Sequence, residues 1–165
     1  MDFTIFLDNL ILGLHNLTRW VVLAAALYAL WRAYRGWFGK REWLKADDRI
    51  GLIYVSVFDT QVLLGLILFF FFSLSGAVTL NNFGTAMANP VDRFFGLEHL
   101  LFMVVALGLA HAGRALARKA QAAEGKHKRA ALFFTASLVV VIMGIPWEGL
   151  PDIGRPLFRF FGISF

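Results

Sequence analysis

Four apolar runs, each long enough to cross a bilayer, constrain this chain more than any other feature. A spanning helix needs about 20 predominantly apolar residues. Hydrocarbon offers no water to backbone polar groups, so such a run satisfies them internally as a helix. The runs place spans at about 10–31, 50–74, 94–113 and 130–145, with Pro146-Trp147 ending the last. Hydrophobic residues make up 59% of the 165, which exceeds the usual content of soluble domains. The expected fold is an all-α membrane protein, a single domain over 1–165 built as an up-down-up-down bundle of four transmembrane helices. Met1-Asp2 offers no basic n-region, so the first run reads as a retained span rather than a cleaved signal.

The basic residues set the orientation. Arg32, Arg35, Lys40, Arg41, Lys45 and Arg49 follow the first run, and Arg114, Arg118, Lys119, Lys126, Lys128 and Arg129 follow the third. The positive-inside rule puts both clusters on the cytoplasmic side and both termini outside. The net charge of +5 is therefore read as topology, and no nucleic-acid partner is expected. The connection SGAVTLNNFGTAMANPVDRF reads as an external loop with turn chemistry. The segment 146–165 alternates aromatics with Arg155 and Arg159 and reads as an interfacial external tail.

Against this background the ionisable residues inside the runs stand out. Such residues are costly in a membrane and are functional candidates by default. His15 and His99 each lie about 20–24 Å from the inner end of their helix, so they share the outer part of the bilayer. Spans one and three are diagonal neighbours in a simple bundle, where a flat macrocycle can be ligated from both faces. Haem iron is the metal that most often takes two imidazoles. The chain has no cysteine, which excludes iron–sulfur clusters, thiolate-ligated haem and covalent attachment of c-type haem. The alternative is that both histidines hydrogen-bond at the bundle rim. Arg19, one turn after His15, and Arg93 are candidates for anionic propionates. Gly13, Gly96 and Ala106 are candidates to admit a ring edge.

His111 lies about 18 Å deeper than His99 and about 120° around the helix from it. Three readings stay open: single ligand of an inner second haem, proton-transfer or quinone-binding group, or a rim histidine bonded to a helix carbonyl. Asp59, mid-span, reads either as a proton acceptor beside quinone or haem, or as the partner of Arg19 in a buried ion pair. Glu98 belongs to an outer quinone pocket or faces interfacial water. His127, in KHKR, reads as solvated. Met103 and Met143 are conceivable axial ligands, since His/Met haems exist, but methionines in apolar helices are more often packing.

The segments HNLTRWVVL, FDTQVLLGLIL, EHLLFMVVALGLAHAGRA and IPW…GRPLF resemble small bacterial four-helix integral membrane proteins labelled cytochrome b-like. The resemblance covers nearly the whole chain. It rests on His15, Arg19 and Trp20, then Asp59, Gln61 and Gly65, then Glu98, His99 and His111, and finally Arg155 and Pro156. It implies haem b and electron transfer in the bacterial inner (cytoplasmic) membrane.

The expected function is a b-type haem electron-transfer protein or subunit, with one haem between His15 and His99, a second at His111 left open, and quinone contact. The expected partners are the lipid bilayer and either a larger membrane redox complex or further copies of the chain. Two alternatives stand beside it: a haem-free accessory subunit of a respiratory or photosynthetic complex, and a pigment-binding subunit in which histidines ligate chlorophyll magnesium singly.

Overall fold

The structure, a computed structural model, describes residues 3–160 and 163–164. Its long helices are α1 (Phe3–Phe38), α2 (Lys45–Ile67), α6 (His99–Lys119) and α7 (Ala123–Gly144). Three short helices, α3 (Leu74–Asn81), α4 (Phe83–Ala88) and α5 (Pro90–Arg93), lie between α2 and α6. The four long elements make the up-down-up-down bundle, and all are long and apolar enough to cross a membrane. Their outward apolar side chains, among them Leu27, Leu63, Val104 and Ile142, suit a lipid environment.

The helices outrun the apolar windows at several ends. α1 continues to Phe38 because its last turns are amphipathic. The Arg35 guanidinium lies 5.1 Å above the Trp31 ring, and Lys128 lies 5.6 Å from the Trp37 ring. Arg35 also sits in the last turn, where a cation opposes the helix dipole. At the start of α2, Asp47 reaches back to accept the Leu44 backbone N–H at 2.8 Å and pairs with Arg32 at 2.7 Å.

The connection expected as a turn-rich loop is instead helical in three pieces. Its polar residues act as caps. Ser73 Oγ accepts from Gly76 N, Asn82 Oδ1 from Thr85 N, and Asn89 Oδ1 from Val91 N and Asp92 N, with Pro90 opening α5. π-Helical turns at Leu68–Phe72 and Phe94–Glu98 flank these pieces, the second leading directly into His99. Near the C-terminus, Arg159–Phe160 (β1) pairs antiparallel with Ile163–Ser164 (β2). Residues 161, 162 and 165 of the expected tail lie outside the described residues.

Contacts divide the chain into two compact units, one of residues 1–19, 60–103 and 144–165, the other of 20–59 and 104–143. The first holds Gln61, Ala86, Phe94, Met103 and Ile145 buried. The second has an alanine-rich core, with Ala26, Ala29, Ala106, Ala110, Ala130 and Ala131 almost fully buried, as helices in close approach require. At its centre Tyr54 donates to Ser137 Oγ at 2.7 Å, and Ser137 donates to the Ala106 carbonyl at 2.7 Å. Both hydroxyls are thereby satisfied away from water.

His127 corrects an expectation. It reads as solvated among KHKR but is 1% exposed. Its Nε2 donates to the Glu42 carbonyl at 3.3 Å and its ring lies 4.8 Å from that of Trp43. Gly36 makes room for it, since any Cβ there would run into the imidazole.

Candidate functional site

The first unit brings His15 and His99 together. Their ring centroids are 6.4 Å apart, with the planes at 70°. Each ring is set by a different element. His99 Nδ1 donates to the Gly144 carbonyl at the end of α7, at 2.7 Å. That bond fixes the tautomer and leaves Nε2 with its lone pair. Metal-ligating histidines are usually oriented this way, by a carbonyl on the far nitrogen.

His15 is set by α2. The Thr18 hydroxyl, shared between the Leu14 carbonyl at 2.8 Å and Gln61 Oε1, holds the Gln61 amide so that its nitrogen faces His15 Nε2, at 3.2 Å. His15 Nδ1 is buried and has no partner among the described residues. A buried polar atom left without a partner costs about 1–3 kcal/mol. Gly65 faces the same ring, where a Cβ would stand 3.1 Å from His15 Cε1. Phe94 and Phe95 close on His99, with centroids 5.9 and 6.4 Å from its ring.

The pair could serve as two ligands to one metal ion, such as that of a haem. Two imidazoles that ligate one metal ion from opposite sides hold their centroids roughly 6 Å apart, given metal–nitrogen bonds of about 2 Å. Each ring has one nitrogen to give, Nε2 of His99 and Nδ1 of His15. If His15 ligates through Nδ1, its proton moves to Nε2 and Gln61 turns its oxygen toward the ring. Thr18, which can accept as well as donate, accommodates that reversal. Among the described residues no group of three or more His, Cys, Asp or Glu is placed to hold a metal ion.

Cations surround this pair differently from expectation. Arg19 extends to Asn16 Oδ1 at 3.2 Å and donates to the Leu157 carbonyl, joining α1 to the C-terminal segment. Arg93 is tied to Glu98 at 2.8 Å, and both are substantially exposed. Glu98 therefore faces outward in an ion pair. Arg155, which charge alone did not single out, lies 4.6 Å above Phe95, whose ring centroid is 6.4 Å from that of His99. Its only signal in sequence is the GRPLF segment. Gly96 and Ala106 do not open on the pair. Gly96 is packed against Thr79, and the Ala106 carbonyl serves Ser137. Gly65 instead leaves room for the His15 imidazole.

Asp59 and His111 belong to the second unit, where they pair with each other. Asp59 Oδ1 lies 2.9 Å from His111 Nε2. Asp59 is thus not the ion-pair partner of Arg19, and His111 bonds a carboxylate rather than a helix carbonyl. Both side chains are about half exposed, 48% and 53%. Depth along a helix pointed to Arg19, but depth alone does not say which way a side chain turns.

No family model matches the chain, and neither a curated protein nor a solved structure shows significant similarity to it.

Proposed function

We propose that this chain is a b-type haem electron-transfer protein or subunit, with one haem ligated by His15 and His99. The observation that carries the reading is the 6.4 Å approach of two imidazoles, each oriented on one nitrogen and without a hydrogen-bond partner among the described residues on the other. When bound, the haem supplies a one-electron couple between ferrous and ferric iron. The chain's own residues bind and tune it. Gly144 holds the His99 ring in place, and Gln61, steadied by Thr18, does the same for His15. Arg19 and Arg155 supply positive charge for propionates, and Phe94 and Phe95 exclude water, which raises the influence of every nearby dipole.

On this reading both basic loops face the cytoplasm of a bacterial inner membrane, and both termini face outward. Electrons pass to or from a larger membrane redox complex or a quinone in the bilayer. His111 lies on Asp59 and takes no part in this haem.

The reading is tested by purifying the protein in mild detergent, with haem in full supply, and recording its reduced-minus-oxidised visible spectrum. Sharp α and Soret bands of a b-type haem support it. A colourless protein speaks for a haem-free accessory subunit, and long-wavelength absorption for a pigment carrier.

A further inference from the structure

An acid–base pair half exposed on a membrane-spanning surface needs explanation. Asp59 lies midway along a span over Lys45–Phe72, and His111 lies within the span over Pro90–Lys119. Ionisable groups at such positions face protein or a wet cavity, because hydrocarbon offers them nothing. Asp59 Oδ2 and His111 Nδ1 have no partner among the described residues. The face that carries the pair is otherwise suited to packing. On α2, Leu52 and Ser56 flank Asp59 at helical spacing and are exposed. On α6, Val104, Gly108 and Ala115 flank His111 in the same way and are exposed too. A Cβ built on Gly108 meets nothing within 4 Å, so the backbone there is bare.

We infer that this face, centred on Asp59, His111 and Gly108, is the contact between two copies of the chain related by a two-fold axis along the membrane normal. Two copies in one membrane share one orientation, so such an axis brings residues of equal depth together. The contact is isologous, and a patch must complement itself. An acid beside a base does so. With the imidazole carrying a proton on each nitrogen, the form that bonding to two carboxylates favours, Asp59 Oδ2 of one copy accepts from His111 Nδ1 of the second, and the reciprocal bond forms across the axis. Gly108 lets the two α6 helices approach closely, as small residues do where membrane helices cross. His111, Ala115, Arg114, Arg118 and Lys119 line a hollow of about 420 Å³. The like charges of the three cations repel across the axis, so the helices cross near Gly108 and splay toward the basic end. Asp48, 3.6 Å from both Arg114 and Arg118, softens that repulsion.

The test counts copies in lipid bilayers, by stepwise photobleaching of singly labelled protein at rising protein density. The wild type is expected to bleach mostly in two steps. Gly108→Leu, whose added side chain has open space in the single chain, is expected to bleach mostly in one step while retaining helix content and thermal midpoint. Asp59→Asn is expected to weaken association about tenfold, the loss of roughly 1.4 kcal/mol. The chain has no cysteine, so single cysteines report proximity cleanly. Gly108→Cys is expected to cross-link on mild oxidation, and Leu132→Cys, on an exposed face of α7, is not. A wild type that bleaches in one step at every density overturns the inference. So does a dimer untouched by Gly108→Leu and Asp59→Asn, or one that cross-links through Leu132→Cys and not Gly108→Cys.

Discussion

The amide nitrogen of Gln61 lies 3.2 Å from His15 Nε2, and its oxygen is already committed to Thr18. α2 thereby orients an imidazole that α1 carries. Loss of a group that orients a metal ligand commonly costs about 10–100-fold in affinity. Gln61→Leu keeps most of the side-chain volume and removes both bonds. It is expected to weaken haem binding about tenfold or more in a titration of the apoprotein, and to shift the midpoint potential. Thr18→Val, one step further out, is expected to do the same more weakly.

Gly65 provides the space His15 occupies. Its missing Cβ would stand 3.1 Å from the ring, a distance a small adjustment can absorb. Gly65→Ala is therefore expected to retain haem with slightly lower affinity. Gly65→Leu forces the imidazole out of place and is expected to lose haem, while circular dichroism still reports a helical protein.

Buried hydroxyls in the second unit give a stability prediction independent of any cofactor. Ser137→Ala leaves the Tyr54 hydroxyl and the Ala106 carbonyl without their partner in the core. The cost is expected at about 1–3 kcal/mol. Tyr54→Phe removes one donor and leaves Ser137 bonded to Ala106, so its cost is expected nearer 1 kcal/mol. Unfolding in mixed micelles measures both.

Gly36 and His127 are coupled by shape. A methyl group at position 36 enters the His127 ring, and overpacking of this kind costs about 1–3 kcal/mol. Gly36→Ala and His127→Ala are each expected to destabilise the fold. Together they are expected to cost less than the sum of the two, since the second removes what the first strikes. Additive effects in that double-mutant cycle contradict the packing described.

Much of this was legible in the sequence, for identifiable reasons. The four spans follow from the lengths of apolar runs, and the approach of His15 and His99 from equal spacing to the inner ends of their helices. The helices α3, α4 and α5 were not legible, although their caps Ser73, Asn82 and Asn89 are plain. Pieces of eight residues or fewer are too short for helical periodicity to register. His127 sits in a charged run, and only the tertiary gap at Gly36 shows why it is buried. The pairing of Asp59 with His111 leaves no mark in sequence, because rotation about the helix axis is set by packing. The Gly144 carbonyl, which orients His99, is a backbone group and leaves no mark in sequence.

The central claim is that His15 and His99 ligate the same iron. The most direct measurement is the low-temperature electron paramagnetic resonance spectrum of the oxidised, haem-loaded protein, recorded beside His15→Ala, His99→Ala and His111→Ala. The wild type and His111→Ala are expected to show one low-spin ferric signal of the bis-imidazole type. His15→Ala and His99→Ala are each expected to lose it, becoming high-spin or haem-free. A low-spin signal that survives either of those two substitutions, or disappears with His111→Ala, contradicts the assignment.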